Sequence, residues 1–533
     1  MSIVKKTNDF LEGHRFFTYF LVFILALIYF GYLQFSFKLT DPDSYYHIKI
    51  SELMAENGVI KDFPYLPLTV LKDHFIDHHF LYHVYLMPFV KLFPPIVGAK
   101  IGHTLLVALA ILAFFWLLRK LKVKGAFWYI PILFLGAPFV FRLSLIKAQP
   151  LSLIILCLGL GFLISKNYWR LFLVAFIYVW SYGGWVLLPL FSLLYAFIPL
   201  FRLVIDYLSK KLSVKSLIAN FWLDFKGSGW QPLLVVFGGS ILGLIINPYF
   251  PQNIDFYRFQ IFEIGLKNYQ YVIPVGNEWY PYLPLTFFKN SILAFLMLIP
   301  AGVLLIKYRL FEEKKVNFLL FVVLFFLFLT MKSRRNIEYF IPLAVIFSAV
   351  VYSTASKLAE FKADCEIIIK KWHPRLNTKI GWLLIATLAV CAFFVYTAVP
   401  YKVKQNLTGG NLDANYYLAA SNYLKSHAQA GELIFHDNFG DFPPLFHHND
   451  RLHYLTGLDP TFFYLANKKL FEEYRDLVSG KTKEGIALIM KNDFGVRFVL
   501  VSKENVKFNS ALEQADGLSQ VYSDGQATIY QVL

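Results

Sequence analysis

Eleven apolar segments divide the first 400 residues of this chain, and they constrain its fold more than any other feature. A helix needs about 20 apolar residues to span a bilayer, with about 17–25 usual. The predicted spans are residues 16–38, 97–118, 126–141, 151–165, 171–187, 188–205, 231–247, 291–306, 316–331, 337–355 and 380–400. The chain is therefore expected to be a polytopic α-helical membrane protein with about eleven or more transmembrane helices.

The composition excludes a soluble or disordered chain. Hydrophobic residues make up 57% of the 533 residues and charged residues only 16%, whereas soluble domains average about 45–50% apolar and about 25% charged residues. The net charge of +16 comes from residues 1–400, where basic residues lie in short loops between apolar segments. Basic residues at such places set membrane topology, so no nucleic-acid partner is expected.

The loop charges predict which side of the membrane each loop faces. One alternating set of loops, beginning with residues 1–15 and 119–124, carries 24 Lys and Arg against 9 Asp and Glu. The other set, up to residue 400, carries 14 against 11. Cytoplasmic loops are enriched in Lys and Arg, so the N-terminus is predicted to be cytoplasmic and the C-terminal domain extracytoplasmic. Residues 16–38 lack a cleavage pattern and are predicted to be an uncleaved anchor.

Two regions are predicted along the chain. A transmembrane region at 1–400 has two long outer loops, 41–96 and 248–290, and a soluble α/β domain follows at 401–533. In this domain the pattern predicts helices at 413–427 and 484–492, strands at 432–436 and 497–502, and a terminal hairpin at 521–533. Because structured polar loops carry function, the chemistry is expected on the non-cytoplasmic face.

Two acids follow the first span. Asp41 and Asp43 flank a proline at the start of the first outer loop, so their carboxylates face a shared volume. Such a pair suits a general base or a divalent cation. The alternative is that these residues cap a helix over 44–57, because Asp and Ser favour helix N-termini.

A cluster of four histidines, His74, His78, His79 and His83, follows in the same loop. His79 and His83 have the i, i+4 spacing of a helical metal pair. Neither is accompanied by a glutamate base, so His78 and His79 are predicted to hydrogen-bond an anionic head group. Interfacial packing is the alternative.

Glu278 is the only acid near a cluster of aromatic residues in the second long loop, next to Trp279 and Tyr280. A carboxylate beside aromatic faces suits carbohydrate, because sugar rings present C–H surfaces and hydroxyls together. The alternative is an interfacial aromatic belt with one solvated glutamate.

Lys332, Arg334 and Arg335 place three cations on the outer side, against the usual charge bias. Guanidinium groups there suit a lipid-linked phosphate or pyrophosphate. The alternative is pairing of the two arginines with Glu338.

In the C-terminal domain, Asp437 and Asn438 follow a predicted strand, which is a common place for a binding site. The chain contains no P-loop and no glycine-rich dinucleotide motif. No nucleotide cofactor is therefore expected.

The layout resembles the GT-C superfamily of glycosyltransferases, and within it the catalytic subunits of oligosaccharyltransferases. Residues 43–49 (DSYYHIK) resemble an acidic D-x-x-Y-H-x-[KR] motif after the first span, and residues 181–185 (SYGGW) resemble a mid-chain Trp-Gly-Gly-type turn. A long outer loop with a glutamate and a soluble C-terminal domain complete the match, which covers nearly the whole chain.

The resemblance implies a role for each candidate residue. Asp43, with Asp41 as the second candidate, would be the first-loop aspartate that engages the acceptor or its metal, and Glu278 would contact the metal and the acceptor. Arg334 and Arg335 would lie near the lipid pyrophosphate, with Lys332, His78 and His79 as further donor contacts. Trp279, Tyr280, Asp437 and Asn438 are the predicted acceptor contacts. Mn²⁺ or Mg²⁺ would bind at Asp43 and Glu278.

The sequence departs from that family at two motifs. The family's carboxylate pair after an Arg-Ser is replaced here by residues 142–144 (RLS) followed by 147–150 (KAQP), which contain no acid. The acceptor-reading Trp-Trp-Asp-Tyr-Gly is also absent, and residues 436–440 (HDNFG) take its place. Metal dependence and transfer to asparagine sequons both stay open.

The sequence favours a glycosyltransferase that passes a sugar or glycan from a polyprenyl-phosphate carrier to a protein or glycan acceptor, with inversion at the anomeric carbon. A lipid-linked glycan flippase is less favoured, because transporters place ionisable residues at the membrane midplane. A non-catalytic relative that binds polyprenyl phosphate stays open. The single-chain layout favours a prokaryotic plasma membrane over the endoplasmic reticulum.

Overall fold

The computed structural model describes residues 2–36, 38–208, 213–376, 378–410 and 412–533, and it is mostly helical. The helices up to residue 410 are α1 (Ser2–Gly13), α2 (Arg15–Gln34), α3 (Asp43–Asn57), α4 (Leu71–His74), α5 (Phe80–Leu92), α6 (Pro95–Lys120), α7 (Tyr129–Phe134), α8 (Ala137–Leu143), α9 (Gln149–Ile164), α10 (Tyr168–Ser181), α11 (Leu187–Leu208), α12 (Val214–Asp224), α13 (Trp230–Ile245), α14 (Gln252–Phe259), α15 (Pro284–Asn290), α16 (Ile292–Lys307), α17 (Lys314–Lys332), α18 (Ile337–Ala355), α19 (Ala359–Leu376) and α20 (Lys379–Thr408). Short 3₁₀ turns lie at Ala126–Trp128, Gly183–Val186, Asn277–Trp279, Leu310–Glu312 and Arg334–Asn336, and π-helical segments at Phe225–Gly229 and Gln260–Lys267. Each of the eleven predicted spans coincides with a helix or a bent helix pair.

Several of these helices suit a membrane. Within the described residues, five are long and apolar enough to cross a bilayer by length and composition, and two bent pairs raise the number to seven if each pair is one span. The bends are 84° between the 126–134 segment and α8, and 79° between α15 and α16. Shorter apolar helices include α9, α10 and α13. The chain is therefore an integral membrane protein, and the count of eleven spans stays a prediction.

Burial distinguishes the centre of the helical bundle from its rim. The span that contains α18 is 94% buried over its most apolar window, and the span of α6 is 72% buried. The corresponding window of α2 is only 28% buried, with Phe16 and Ile28 exposed. A helix that is apolar all round and buried lies in the interior of a bundle, whereas an exposed apolar face suits lipid. Helices α18 and α6 therefore form the core on which the site is built.

Glycines allow helices α10 and α13 to pack closely. A Cβ atom added to Gly239 would lie 2.5 Å from the carbonyl oxygen of Phe172, and one added to Gly243 would lie 2.9 Å from that of Phe176. Such approaches of backbone to backbone are typical of membrane helix pairs, whose interfaces are enriched in small residues. These two glycines therefore fix the spacing of α10, which leads directly into the turn at Tyr182.

Gly239→Ala is expected to lower the free energy of unfolding by about 1–3 kcal/mol, because the added methyl group forces the two helices apart. Gly238→Ala is the matched control, since its Cβ would meet only a Phe172 ring atom at 3.7 Å. The midpoint of thermal unfolding of both proteins in lipid nanodiscs checks this expectation. Equal midpoints for the two variants would contradict close packing at Gly239.

The C-terminal domain contains a five-stranded mixed sheet. Its strands are β1 (Leu433–His436), β2 (His453–Tyr454), β3 (Phe498–Ser502), β4 (Leu518–Ser523) and β5 (Ala527–Val532). Their order is β2-β1-β3-β5-β4, with β1 parallel to both β2 and β3 and the β3-β5-β4 pairs antiparallel. The helices are α21 (Leu418–His427), α22 (Phe442–His448), α23 (Thr461–Ala466), α24 (Lys468–Val478), α25 (Ile486–Asn492) and α26 (Val506–Glu513), and a 3₁₀ turn lies at Phe439–Asp441. The structure therefore contains the two predicted strands and the terminal hairpin, and it adds β2, which is only two residues long.

The C-terminal domain packs directly on the first outer loop. Phe63 of that loop lies among the rings of Phe442 and Phe446, and Lys49 forms an ion pair with Asp450 at 3.0 Å. The backbone amide of Leu39 also donates to the carbonyl of Leu412 at 2.9 Å. Buried aromatic contacts of this kind contribute most of the stabilisation at such interfaces. The domain therefore holds the start of α3 in place, which is where the candidate site begins.

Candidate active site

Asp41 and Asp43 begin the site where the chain leaves α2. Helix α3 starts at Asp43, and the Oδ1 atom of Asp41 accepts a hydrogen bond from the Asp43 amide at 2.9 Å. The capping alternative therefore applies to one oxygen of Asp41. The other oxygen, Oδ2, and the Oδ2 of Asp43 both face Lys147.

Lys147 lies between these acids. Its Nζ atom is 2.9 Å from Asp41 Oδ2, 2.8 Å from Asp43 Oδ2 and 4.0 Å from Glu278 Oε2. The lysine side chain is only 8% exposed, whereas that of Asp43 is 39% exposed. Burying an ammonium group costs free energy unless carboxylates lie around it. Lys147 and the three acids therefore form one cluster of paired charges.

Arg142 connects Glu278 to the centre of the bundle. Its Nη1 atom donates to Glu278 Oε2 at 2.6 Å, and its Nε atom donates to Glu338 Oε2 at 2.8 Å. Glu338 is 1% exposed. The alternative in which Glu338 pairs with Arg334 and Arg335 does not hold, because the carboxylate of Glu338 pairs with Arg142 from a different helix.

The two neighbouring arginines point to different places. Arg335 donates to the Tyr182 hydroxyl at 3.2 Å, and its guanidinium group lies 4.4 Å from the centre of the Trp279 ring. Its Nη1 atom is 3.6 Å from Glu278 Oε1. Arg334 instead donates through Nε to the carbonyl of Pro281 at 3.2 Å. Both arginines lie in the 3₁₀ turn at Arg334–Asn336, just before α18, and their side chains contact different parts of the protein.

One cavity of about 490 Å³ brings most of these groups together. Its polar lining includes Asp43, Lys147, Glu278, Arg335, His78, His79, Lys332 and Trp279. Its apolar walls include Leu187 and Leu190 of α11 and Phe325 and Leu329 of α17, which are membrane-span residues. The cavity is therefore lined both by charged groups and by apolar residues of membrane-span helices.

The surroundings set the protonation of the acids. Burial raises the pKa of Asp43 to about 6, with Asp41 adding to the increase and Lys147 opposing it. Burial also acts to raise the pKa of Glu278, but Lys147, Arg142 and then Arg335 outweigh it and hold that pKa well below its usual range. The acids keep the pKa of Lys147 raised despite its burial. The ionised form of Glu278 is therefore favoured, while the protonated form of Asp43 persists to a higher pH than is usual for an aspartate.

Burial favours the uncharged forms of His78 and His79 in the first loop, and His79 and His83 do not form a metal pair. Burial lowers the pKa of His78 to about 4 and that of His79 well below its usual range. His83 uses both ring nitrogens: one is 2.7 Å from His47 Nδ1 and the other 2.7 Å from Asp77 Oδ2. The result is a buried chain from Asp77 through His83 to His47, whose far end borders the cavity.

Asp77→Asn is expected to lower the free energy of unfolding by about 1.5–3 kcal/mol, because it removes the charge from a buried hydrogen bond to His83. Asp73→Asn, at an exposed position of the same loop, should change it by less than about 0.5 kcal/mol. Chemical unfolding in detergent micelles, followed by tryptophan fluorescence, measures both. Similar losses in the two variants would rule out a special role for the buried chain.

Other predicted contacts lie outside the cavity. Among the described residues, the lining of the cavity does not include Arg334, Tyr280, Asp437 or Asn438. Asp437 accepts hydrogen bonds from the Ser502 amide at 3.0 Å and from Asn505 at 2.9 Å, which joins two parts of the C-terminal domain. The roles predicted for these residues stay predictions.

Lys147, Arg142 and Tyr182 are the site residues that sequence reasoning missed. Lys147 and Arg142 were noticed only as a place where a family carboxylate pair is absent. The sequence signal for both residues was their positive charge, because the family that this chain resembles carries acids in this segment. Tyr182 lies in the glycine-containing turn that the resemblance singled out.

The donor set does not fit a divalent cation. Among the described residues, no group of three or more His, Cys, Asp or Glu side chains is arranged to hold a metal ion. Asp41 and Asp43 face the Lys147 ammonium group, and Glu278 faces Arg142. Calcium and magnesium require several oxygen ligands at about 2.0–2.6 Å, and the ammonium group occupies that position.

Sequence comparisons give no relative: no family model and no curated protein matches the chain. Solved structures do match in shape. They include the archaeal oligosaccharyltransferase AglB from Archaeoglobus fulgidus, in complex with an inhibitory peptide and a dolichol-phosphate, at 13% identity and TM-score 0.61, covering 98% of this chain and 75% of AglB. ArnT from Cupriavidus metallidurans matches at 11% identity and TM-score 0.52, covering 96% of this chain and 97% of ArnT. Arabinofuranosyltransferase AftD from Mycobacteria matches at 13% identity and TM-score 0.54, covering 96% of this chain and 40% of AftD. At these identities the likeness concerns the fold.

Proposed function

We propose that this chain, whose fold is that of the GT-C glycosyltransferases, transfers a sugar or glycan from a polyprenyl-phosphate carrier to an acceptor on the non-cytoplasmic face. The observation that carries the proposal is one cavity lined by the Asp43 carboxylate, by Arg335 and by apolar residues of two membrane-span helices. A lipid-linked sugar has the same three parts: an anomeric centre, an anionic phosphate and a hydrocarbon chain. The inhibitory peptide and dolichol-phosphate in the AglB structure support the comparison.

The donor is proposed to bind along the length of the cavity. Its hydrocarbon chain would lie against Leu190 and Phe325, on membrane helices. Its phosphate would lie at Arg335, whose guanidinium group is held by Tyr182 and by the face of Trp279. The uncharged His79 beside it supplies an N–H donor without a full charge. Arginine suits this role because its rigid fork of donors matches phosphate oxygens.

The acceptor is proposed to react at Asp43. Its carboxylate takes the proton of the acceptor nucleophile as that atom attacks the anomeric carbon. The bond between this carbon and the phosphate oxygen breaks, and the electron pair leaves with the phosphate. Arg335 stabilises the negative charge that develops on the leaving phosphate. Electrostatic catalysis contributes most at such developing charges. In a direct displacement the nucleophile attacks opposite the leaving phosphate, so the proposed reaction inverts the configuration of the anomeric carbon.

The acceptor is proposed to enter between the first outer loop and the C-terminal domain. A Cβ atom on Gly440 would lie 4.0 Å from Pro42 Cγ, so the 436–441 segment approaches the turn that carries Asp41 and Asp43. This contact makes the domain a suitable reader of a protein or glycan acceptor. The same proposal includes eleven spans, a cytoplasmic N-terminus and an extracytoplasmic C-terminal domain, in the plasma membrane of a prokaryote.

The test uses the full chain in liposomes with radiolabelled polyprenyl-phosphate and polyprenyl-diphosphate sugars. Transfer is measured as label that moves to envelope protein or glycan, together with release of the free lipid phosphate. The expected result is transfer from one carrier class. Movement of intact donor across the bilayer without cleavage would favour a flippase instead, and donor binding without cleavage would favour a non-catalytic lipid-binding protein.

A further inference from the structure

The ammonium group of Lys147 has the surroundings that carboxylates usually give to a metal ion. Asp41, Asp43 and Glu278 come from two outer loops far apart in sequence, yet all three face this one nitrogen. Two of the oxygens lie at 2.9 and 2.8 Å, which is hydrogen-bond distance for a charged donor. The third acid, Glu278, lies at 4.0 Å and adds a third negative charge beside this nitrogen.

The backbone fixes Lys147 at this position. It lies between α8 and α9, and its turn is held by the His103 ring, which contacts the carbonyl of Leu143 at 2.8 Å. Gln34 also donates to the carbonyl of Ser144. Because the lysine side chain is 8% exposed and the turn is anchored twice, the ammonium group stays at the centre of the acids.

We propose that the Lys147 ammonium group is a built-in substitute for a divalent cation, so that this site orients its acids and carries out its chemistry without bound metal. The catalytic part of this inference rests on the proposed function, but the exclusion of metal concerns only the free protein. A metal ion within ligand distance of both Asp41 and Asp43 would overlap the ammonium nitrogen. Its positive charge would also be repelled by Lys147 and by Arg142 behind Glu278.

The charges around the site explain why one lysine can neutralise the remaining acids. Arg142 and Arg335 already lie against Glu278, at 2.6 and 3.6 Å, so only the pair Asp41 and Asp43 needs a further cation. A single ammonium group has three N–H donors, so it can donate to both acids and keep one donor that they do not use. Lys147 also lines the cavity.

The experiment titrates the full chain in lipid nanodiscs with Mn²⁺, after EDTA treatment and without donor or acceptor. The electron paramagnetic resonance signal of free aqueous Mn²⁺ reports binding, and the midpoint of thermal unfolding reports stabilisation. Wild type and Lys147→Arg are expected to bind no stoichiometric Mn²⁺. Lys147→Gln leaves the acids without their cation and is expected to bind Mn²⁺ at least about a hundredfold more tightly than wild type.

Lys100→Gln is the matched control. Lys100 is also buried, but its ammonium group donates to the backbone carbonyls of Ser36 and Lys38, at 2.5 and 2.6 Å, and not to acids. Its replacement should create no Mn²⁺ site. Lys100→Gln therefore shows the effect of losing a buried lysine without freeing any carboxylate.

Two results would overturn the inference. Stoichiometric Mn²⁺ binding by wild type that disappears in Asp43→Asn would show an ordinary metal site. A folded Lys147→Gln that binds no more Mn²⁺ than wild type would show that the ammonium group does not stand in for a cation. Where Lys147→Gln does not unfold cooperatively, the wild-type and Lys147→Arg titrations decide. Since no substrate is present, failure of the proposed transfer reaction would leave these readouts unchanged.

Discussion

Asp43→Asn is expected to reduce the rate of sugar transfer by about 10³-fold, because an amide cannot take the proton of the acceptor. Asparagine has the same shape, and its oxygen still accepts a hydrogen bond from Lys147. The loss would therefore reflect chemistry and not collapse of the site. The measurement is kcat and kcat/KM for transfer in liposomes, together with the thermal midpoint to show that the variant is folded.

The matched control is Asp62→Asn, an exposed acid of the same outer loop. Its rate should stay within about twofold of wild type, since exposed residues away from a site contribute little. If Asp43→Asn kept more than about a tenth of the wild-type rate, a general base at Asp43 would be untenable.

The same assignment predicts the pH dependence of the reaction. Burial raises the pKa of Asp43 to about 6 against the opposing charge of Lys147. The base must be ionised, so the transfer rate should be half-maximal near pH 6, approach its maximum about one pH unit higher, and decline about tenfold per pH unit well below pH 6. The residual activity of Asp43→Asn should lack this decline. A wild-type profile that stays flat down to pH 5 would exclude Asp43 as the group that titrates.

Sequence patterns predict the fold of this chain well where one physical effect dominates. A run of about 20 apolar residues predicts a helix in lipid because only a helix pairs its backbone groups within one segment, and each of the eleven segments coincides with a helix or a bent helix pair. The strand at 497–502 and the terminal hairpin were similarly visible. Strand β2 was not, because two residues carry no alternation and pair only through their neighbour β1.

The site was predictable in its acids and in one arginine, but not in its centre. Asp43 stood out as one of two acids beside a proline, Glu278 as the only acid near a cluster of aromatic residues, and Arg335 as a cation against the usual charge bias. The structure brings all three to one cavity. Lys147 did not stand out, because a lysine gains meaning here only from three acids that approach it in space. Long-range pairing of that kind has no local pattern in a single sequence.

Arg335→Gln is expected to lower kcat by about 10²–10³-fold, since it removes the group that stabilises charge on the departing phosphate. Arg334→Gln is the neighbouring control. Arg334 contacts the carbonyl of Pro281 and the Tyr282 ring, and it lies outside the described lining of the cavity. Its replacement should therefore change kcat by less than about threefold.

Comparing the kinetics of Arg335→Gln and Arg334→Gln distinguishes an arginine that acts in the transition state from a surface that only attracts anions by its positive charge. If the cations acted only by attracting an anionic lipid, both variants would raise KM to a similar degree, because such attraction depends on total charge. A contact made in the transition state instead lowers kcat and kcat/KM together in Arg335→Gln alone. Arg335→Lys should recover only part of the loss, because an ammonium group lacks the planar fork that holds two phosphate oxygens. Full recovery by lysine, or equal effects at Arg334, would remove Arg335 from the proposed mechanism.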